Sequence, residues 1–333
     1  MESTIGVVLC GGYGAALKPL TDDIPTALIE IRKDYTILDK QLFEFKNAGV
    51  KEVILVTSYL REQIRNRYGN EYIGVKIRYI EEEKPEGTLP ALKKVLNEVK
   101  GDIVIRNGDI VTDINLDKFI RCSKTSKFPI TIFITKLPSP YGVVETDSER
   151  VTSFIEKPVL NRDINAGIYF LKKNFKLPEV YDKGNIGNTV FPELVKQGVV
   201  GYYEEDVFWR AIDTLRDVEE IRKEYGNKTD KPWGYEKILI NTEKYLTKEL
   251  YLKEGYRTSL HKHKKKDETM YIIKGRGYIE FEDRKEYFSV NDTVRIKPNI
   301  IHSIVALENT KINEMSTPHL SDTTRVKDYY SRD

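Results

Sequence analysis

Along the first two-thirds of the chain, short apolar runs alternate with stretches whose apolar residues recur every three or four positions. Residues 4–9, 52–57, 76–80, 103–106 and 130–135 read as strands, and 38–47, 59–68, 89–99, 116–123 and 214–223 as helices. Strand–helix alternation predicts a doubly wound α/β domain with a mostly parallel sheet and helices on both faces. Ligands of such sheets sit at the carboxyl ends of the strands. Gly11-Gly12-Tyr13-Gly14 and Asn107-Gly108-Asp109 fall there. Beyond residue 151 the pattern loosens. The polar stretch 224–232, which contains Gly226 and Pro232, reads as a linker. After it come short alternating runs at 237–240, 247–251, 269–273, 277–281, 292–296, 304–307 and 312–315, the pattern of a small all-β barrel or jelly roll. The expected domains are therefore 1–224 and 225–333.

With 333 residues the chain exceeds one ordinary core, which agrees with two domains. Its 54 basic residues nearly balance 52 acidic ones, so the net charge of +2 gives no pull toward nucleic acid or a membrane. Only two cysteines occur, Cys10 and Cys122, far apart and outside any metal spacing. A disulfide framework is excluded, and a reducing cytoplasm is the expected compartment. No basic-then-apolar leader and no apolar run of membrane length is visible, which adds to that expectation.

Three of the four histidines, His261, His263 and His302, form one pattern. On a strand, residues i and i+2 share a face, so His261 and His263 converge. Glu268 lies across a turn, and His302 can complete the set. Three imidazoles and a carboxylate suit zinc, iron, manganese or nickel. The neighbouring lysines 262 and 264–266 read as a solvated hairpin tip, with attraction of a phosphorylated substrate as the sharper alternative. In the first domain, Gly11, Gly12 and Gly14 follow an apolar run, as in loops that cradle phosphate with backbone N–H groups. Yet Lys18 is the only basic residue of that loop.

The segment from Gly255 to Gly275 resembles the first motif of the cupin superfamily; Asn291-Asp292 and Lys297-Pro298 are variants of the second. Within that superfamily the region resembles the type II phosphomannose isomerases. That likeness is carried by Lys231-Pro232-Trp233-Gly234 and by the tail from Glu314 through Arg325 to Tyr330. The resemblance implies a metal-dependent aldose–ketose isomerase, with Arg325 as a phosphate or substrate contact; Glu314 is the candidate base for its proton shuttle. A metal-binding cupin alone does not define the reaction.

Residues 1–222 resemble the sugar-1-phosphate nucleotidyltransferases, a Rossmann-like fold of the GT-A type. The likeness is carried by the glycine loop, Pro25-Thr26-Ala27-Leu28, Gly87-Thr88, Asn107-Gly108-Asp109, Phe154-Ile155-Glu156-Lys157-Pro158, Asn165-Ala166-Gly167 and Trp209-Arg210-Ala211-Ile212-Asp213-Thr214. The domain order resembles bifunctional mannose-1-phosphate guanylyltransferase/phosphomannose isomerases. In that family the loop reads Gly-Gly-x-Gly-Thr-Arg-Leu, which puts Ala15 at the threonine and Ala16 at the phosphate-binding arginine. Thr26 stands at a lysine, and Ala211 at the second of two magnesium-binding aspartates, of which Asp109 is the first. Asp213 lies two residues on, a shift of roughly 6.6–6.8 Å along an extended chain, too far to hold the same ion without backbone movement. One arginine can be worth about 10³–10⁵ in phosphoryl transfer, so nucleotidyl transfer and its Mg²⁺ requirement are expected to be lost.

The implied sugar- and base-recognising residues persist: Glu156, Lys157, Asn165, Gly167, Gly87 and Thr88. They imply a sugar phosphate or nucleotide sugar as ligand. The leading expectation is thus a cupin isomerase joined to a degenerate nucleotidyltransferase domain. The alternatives are a non-catalytic nucleotide-sugar-binding regulator, acting as a homodimer or on an active paralogue, and an active bifunctional guanylyltransferase/isomerase.

Overall fold

The computed structural model describes residues 4–330, apart from 174 and 180. The chain divides into two compact units, Met1–Ile221 and Arg222–Asp333.

In the first unit the main sheet holds β1 (Ile5–Leu9), β2 (Glu52–Thr57), β3 (Val75–Glu81), β4 (Ile103–Asn107), β5 (Ile130–Pro138), β6 (Val159–Leu171) and β7 (Val200–Glu204). Their order is β7-β5-β6-β4-β1-β2-β3, with the short strand Glu71–Tyr72 at the outer edge. Strands β1 to β4 are mutually parallel where they pair. Strand β6 runs antiparallel to both β4 and β5. Alternation along the strands feeds two cores. Val8, Val53 and Leu55 pack with helices α1 (Ile37–Asn47), α2 (Arg61–Tyr68) and α4 (Leu116–Thr125). Val7, Ile54 and Val56 pack on the other face with α3 (Thr88–Glu98) and α5 (Val190–Lys196). The doubly wound expectation holds for β1 to β4, which carry helices on both faces.

Helix α1 starts where its sequence can close a capping box. The Thr36 hydroxyl accepts from Asp39 N at 3.1 Å, and the Asp39 carboxylate accepts from Thr36 N at 2.8 Å. The helix also carries a buried polar stripe. Gln41 Nε2 donates to the carbonyls of Asn107 and Ile110, both at 2.9 Å, and so brackets the turn that bears Asp109. Beside it Glu44 pairs with the fully buried Arg106, and Lys40 lies 3.3 Å from Glu44 and 3.2 Å from Asp113.

The second unit has two antiparallel sheets. The first contains β8 (Lys228–Lys231), β9 (Gly234–Asn241), β10 (Leu246–Leu252), β17 (Thr310–Ser316), β12 (Glu268–Lys274) and β15 (Thr293–Ile296) in that spatial order. The second contains β14 (Lys285–Phe288), β13 (Gly277–Phe281), β16 (His302–Ala306), β11 (Leu260–His263) and β18 (Thr323–Lys327). Met270, Ile272 and Ile312 of the first meet Ile279, Phe281 and Ile304 of the second in one core. This is the layered packing of a jelly roll.

The expected linker at 224–232 is not one. Helix α6 (Leu215–Tyr225) runs into it, and Lys228–Lys231 pairs with β9. Lys228 is buried, its ammonium 4.4 Å from the Tyr225 ring centre and 3.8 Å from that of Tyr235. Two aromatic faces and the Glu224 carboxylate at 3.5 Å let a polar segment sit inside. The turn closes on Gly234 (φ +147), where a Cβ would stand 1.8 Å from the Tyr251 carbonyl oxygen.

Glu44→Ala should be strongly destabilising, because it leaves the Arg106 charge buried without its partner. The expected loss is about 3–5 kcal/mol in a urea titration followed by circular dichroism.

Candidate metal centre and a second cavity

His261 and His263 project from β11 at the two-residue spacing of one face. His302 opens β16 directly opposite His261 in register. One nitrogen from each of the three rings lies within 4.8 Å of the others. Each ring is held by its Nδ1 at a backbone carbonyl: His261 at Ser259 O (2.7 Å), His302 at Ile300 O (3.0 Å) and His263 at Asp322 O (3.2 Å). A carbonyl only accepts, so Nδ1 carries the hydrogen and the Nε2 lone pairs are available to a ligand. Glu268, from the opposing sheet, brings Oε1 to 3.0 Å from His302 Nε2 and Oε2 to 3.6 Å from His263 Nε2. His302 Nε2 and Glu268 Oε1 are both buried and lack a hydrogen-bond partner. Two facing acceptors are satisfied by a proton between them or by a cation, so the donor set fits a transition metal.

The electrostatics agree. Burial, with His302 beside it, pushes His261 down to about 3. Burial also lowers His263, so both rings stay neutral and ligand-competent at pH 7. Burial works to raise the Glu268 carboxyl, but His302 and Lys266 outweigh it and hold it well below the usual carboxylate range.

Lys266 is buried, which corrects the solvated-tip reading for this one residue; Lys264 and Lys265 are exposed as expected. Its Nζ lies 2.6 Å from Glu268 Oε2 and 2.5 Å from Glu314 Oε1. Burial opposes its charge, yet Glu314 and Glu268 raise its pKa overall. The missed signal was period-two alternation, since Met270 and Glu268 point inward and Lys266 continues the series. Glu314, on β17, is buried at the same cavity of about 270 Å³. Arg325 lines it from β18, opposite His261, and is exposed. Glu236 also lines it, with Lys248 at 3.5 Å and Lys231 at 3.6 Å; nothing in the sequence marked this trio.

In the first unit, a cavity of about 420 Å³ opens at the carboxyl ends of β1 and β4. Gly11, Gly12 and Gly14 form one wall, and Gly14 (φ +59) passes so close that a Cβ would be 2.5 Å from Thr26 Oγ1. Ala15, Ala16 and Thr26 line it too, and no lysine, arginine or histidine does among the described residues. Gly87 and Thr88 line the far wall, where Thr88 Oγ1 accepts from Ile186 N at 2.9 Å and Asn185 Oδ1 accepts from Thr88 N at 3.3 Å. Glu82 and Asn185 are cavity residues that the sequence did not flag. Burial raises the Glu82 carboxyl.

Asp109 and Asp213 share this cavity. The Trp209–Ala211 strand pairs with Ile110–Thr112, and Ile212 N donates to Asp109 O at 2.9 Å. That tie brings Asp213, two residues beyond Ala211, to the same wall as Asp109. Burial, and then the Asp213 charge, push Asp109 up to about 6. The expected sugar contacts do not line the cavity. Glu156 pairs with Lys157 at 3.5 Å on an exposed hairpin end. Asn165 bonds within its own strand, to Gly167 N (3.0 Å) and Tyr169 OH (2.8 Å). Gly167 (φ +73) passes close to Asn107, to which a Cβ there would come within 2.9 Å.

Residues 5–228 match the family model for nucleotidyl transferases. The chain belongs to that family. Residues 219–315 match the model described as Mannose-6-phosphate isomerase C-terminal, so a nucleotidyltransferase domain is fused to a cupin. A mannose-1-phosphate guanylyltransferase catalytic subunit beta from Danio rerio is 32% identical over 222 residues, 63% of this chain and 61% of the relative's length. A D-glycero-alpha-D-manno-heptose 1-phosphate guanylyltransferase from Campylobacter jejuni is 35% identical over 177 residues, 50% of this chain and 76% of that protein. Among solved structures, HddC from Yersinia pseudotuberculosis superposes with a TM-score of 0.54 at 25% identity, covering 67% of this chain and 99% of its own. No helix among the described residues is long and apolar enough to cross a membrane.

Because the folded-state pKa of Asp109 is raised, its contribution to stability is complete below about pH 4 and is lost as pH rises through about 6. Asp109→Asn should therefore melt higher than wild type at pH 7, with the gap closing near pH 4, as measured by thermal denaturation across that range.

Proposed function

We propose that the cupin domain is a metal-dependent sugar-phosphate isomerase of the mannose-6-phosphate type. The observation that carries this reading is the convergence of His261, His263 and His302, with Glu268 beside His263 and His302 and with His302 Nε2 and Glu268 Oε1 orphaned. His261, His263, His302 and Glu268 would hold zinc, iron, manganese or nickel. The ion would act as a Lewis acid toward the sugar carbonyl. The chain's own residues do the rest. Glu314 takes the proton from C2 of the aldose and returns it at C1, while a hydroxyl proton passes from O2 to O1. Lys266, 2.5 Å away, pairs with the Glu314 carboxylate inside the barrel and holds it in place. Arg325, exposed on the cavity wall, receives the phosphate. The family match over residues 219–315 supports the substrate class.

For the first domain we propose ligand binding without nucleotidyl transfer. Its relatives are named as guanylyltransferases, so a guanine nucleotide sugar is the proposed ligand. The cavity carries Ala15, Ala16 and Thr26 where the family places a threonine, an arginine and a lysine; of its carboxylates, Glu82 is already paired with Lys94 at 3.5 Å, and Asp109 and Asp213 are left with no lysine, arginine or histidine in the lining among the described residues. A triphosphate has little there to neutralise it.

Mannose-6-phosphate in heavy water, followed by proton NMR with metal-loaded protein, should give fructose-6-phosphate with deuterium at the sugar carbons. His261→Ala should abolish both, and Glu314→Gln should lower kcat by about 10²–10⁴ with little change in metal content. Absence of conversion with zinc, iron, manganese and nickel would sink the isomerase reading. With GTP, mannose-1-phosphate and Mg²⁺, pyrophosphate release should stay at the buffer rate while GDP-mannose binds. Turnover near the common enzymatic range of about 1–10³ s⁻¹ would refute the loss of transfer.

A further inference from the structure

The geometry points to Asp322 as the positioning residue of the histidine cluster: it seats His263 and the turn that joins His263 to Glu268. This rests on the metal reading above.

Strand β11 ends at His263 and β12 starts at Glu268, so residues 264–267 span two of the four ligand-type side chains. A short polar turn is the part of a barrel most free to move. Here it is clasped from outside by the segment that joins β17 to β18. Asp322 Oδ2 accepts from two successive backbone N–H groups of the turn, Lys265 N at 2.6 Å and Lys266 N at 2.9 Å. The main-chain oxygen of the same residue accepts from His263 Nδ1 at 3.2 Å. Thr317 completes the clasp, its Oγ1 accepting from Asp267 N and its N donating to Asp267 O, both at 3.1 Å.

One residue thus does two things. Its carbonyl selects the His263 tautomer that leaves Nε2 unprotonated. Its carboxylate ties that carbonyl to the turn, so that ring and turn move together. His261 and His302 differ, because each bonds the carbonyl of the residue two positions earlier in the chain. Only His263 depends on a distant segment for its orientation. The same grip fixes the backbone of Lys266, whose ammonium lies between Glu268 and Glu314. Losing the Asp322 carboxylate orphans two backbone N–H groups and lets the carbonyl drift from the ring. Outer-shell partners of this kind are typically worth 10–100-fold in metal affinity.

The test uses the full chain stripped of metal and titrated with Zn²⁺, and separately with Mn²⁺, against a competing chelator. Asp322→Ala should weaken Zn²⁺ binding about 10–100-fold. Asp322→Asn, which keeps an acceptor oxygen in place, should recover most of it. Asp292→Ala is the matched control: Asp292 Oδ2 caps Ser289 N at 2.7 Å in another turn of the same domain, so this variant should bind as wild type. A second readout is independent of metal. In the apo protein, long-range ¹H–¹⁵N NMR should show His263 protonated at Nδ1, with that tautomer depleted in Asp322→Ala. If the alanine variant does not fold, amide exchange in the wild type decides: Lys265 and Lys266 N–H must be protected, and exchange at open-loop rates overturns the inference. Wild-type affinity in Asp322→Ala, or an equal loss in Asp292→Ala, also overturns it. A wild type that takes up neither ion removes the metal reading itself, whereas uptake that Asp322→Ala leaves unchanged removes only the role of Asp322.

Discussion

One buried ammonium makes the interior of the cupin domain possible. Glu268 and Glu314 reach into the same cavity from neighbouring strands, and two ionised carboxylates at that depth would repel each other and favour protonation. Lys266 sits between them within 2.6 Å of both, so each charge faces an opposite one at hydrogen-bond distance. Burying three charges costs several kcal/mol per ion before their attraction is counted, so this chain is not a device for stability alone. Its effect is to keep the Glu268 carboxylate beside the histidines ionised and to bridge it to Glu314. The burial of Lys266, the low pKa of Glu268 and the neutral imidazoles belong to one electrostatic arrangement.

The first domain solves a similar problem differently. Its buried charges, Arg106, Glu44, Lys40 and Asp113, are paired behind the sheet, and Gln41 grips the turn bearing Asp109 from that side. The cavity face keeps three carboxylates and, among the described residues, no basic side chain in its lining; only Glu82 has a cation near it, Lys94 at 3.5 Å. One consequence is visible in Asp109, whose carboxyl burial and Asp213 push up to about 6.

Much of this was legible in the residues. Strands β1, β2 and β4 were readable because apolar runs bounded by turn residues have few other uses. The histidine set was readable because period two is a geometric property of a strand, and His302 could be added from its motif. Three features were not. Lys266 looked like part of a charged tip, since composition dominates a run of lysines and pairing with distant carboxylates leaves no local trace. Residues 228–231 looked like a linker because their partners, Tyr225 and Tyr235, act through aromatic faces. The closeness of Asp213 to Asp109 was not readable because it depends on the hydrogen bond from Ile212 to the Asp109 carbonyl, which leaves no local trace.

Ala15, Ala16 and Thr26 belong to neither of the two cores that hold the first domain together; Ala15 and Ala16 are exposed, while Leu17 and Ala27 beside them are buried. Fold and cavity chemistry are therefore written at interleaved but separate positions of one loop. Evolution can rewrite the second without touching the first, at almost no cost in foldability. Substitutions at these three positions change what the cavity presents to a ligand while leaving both cores as they are.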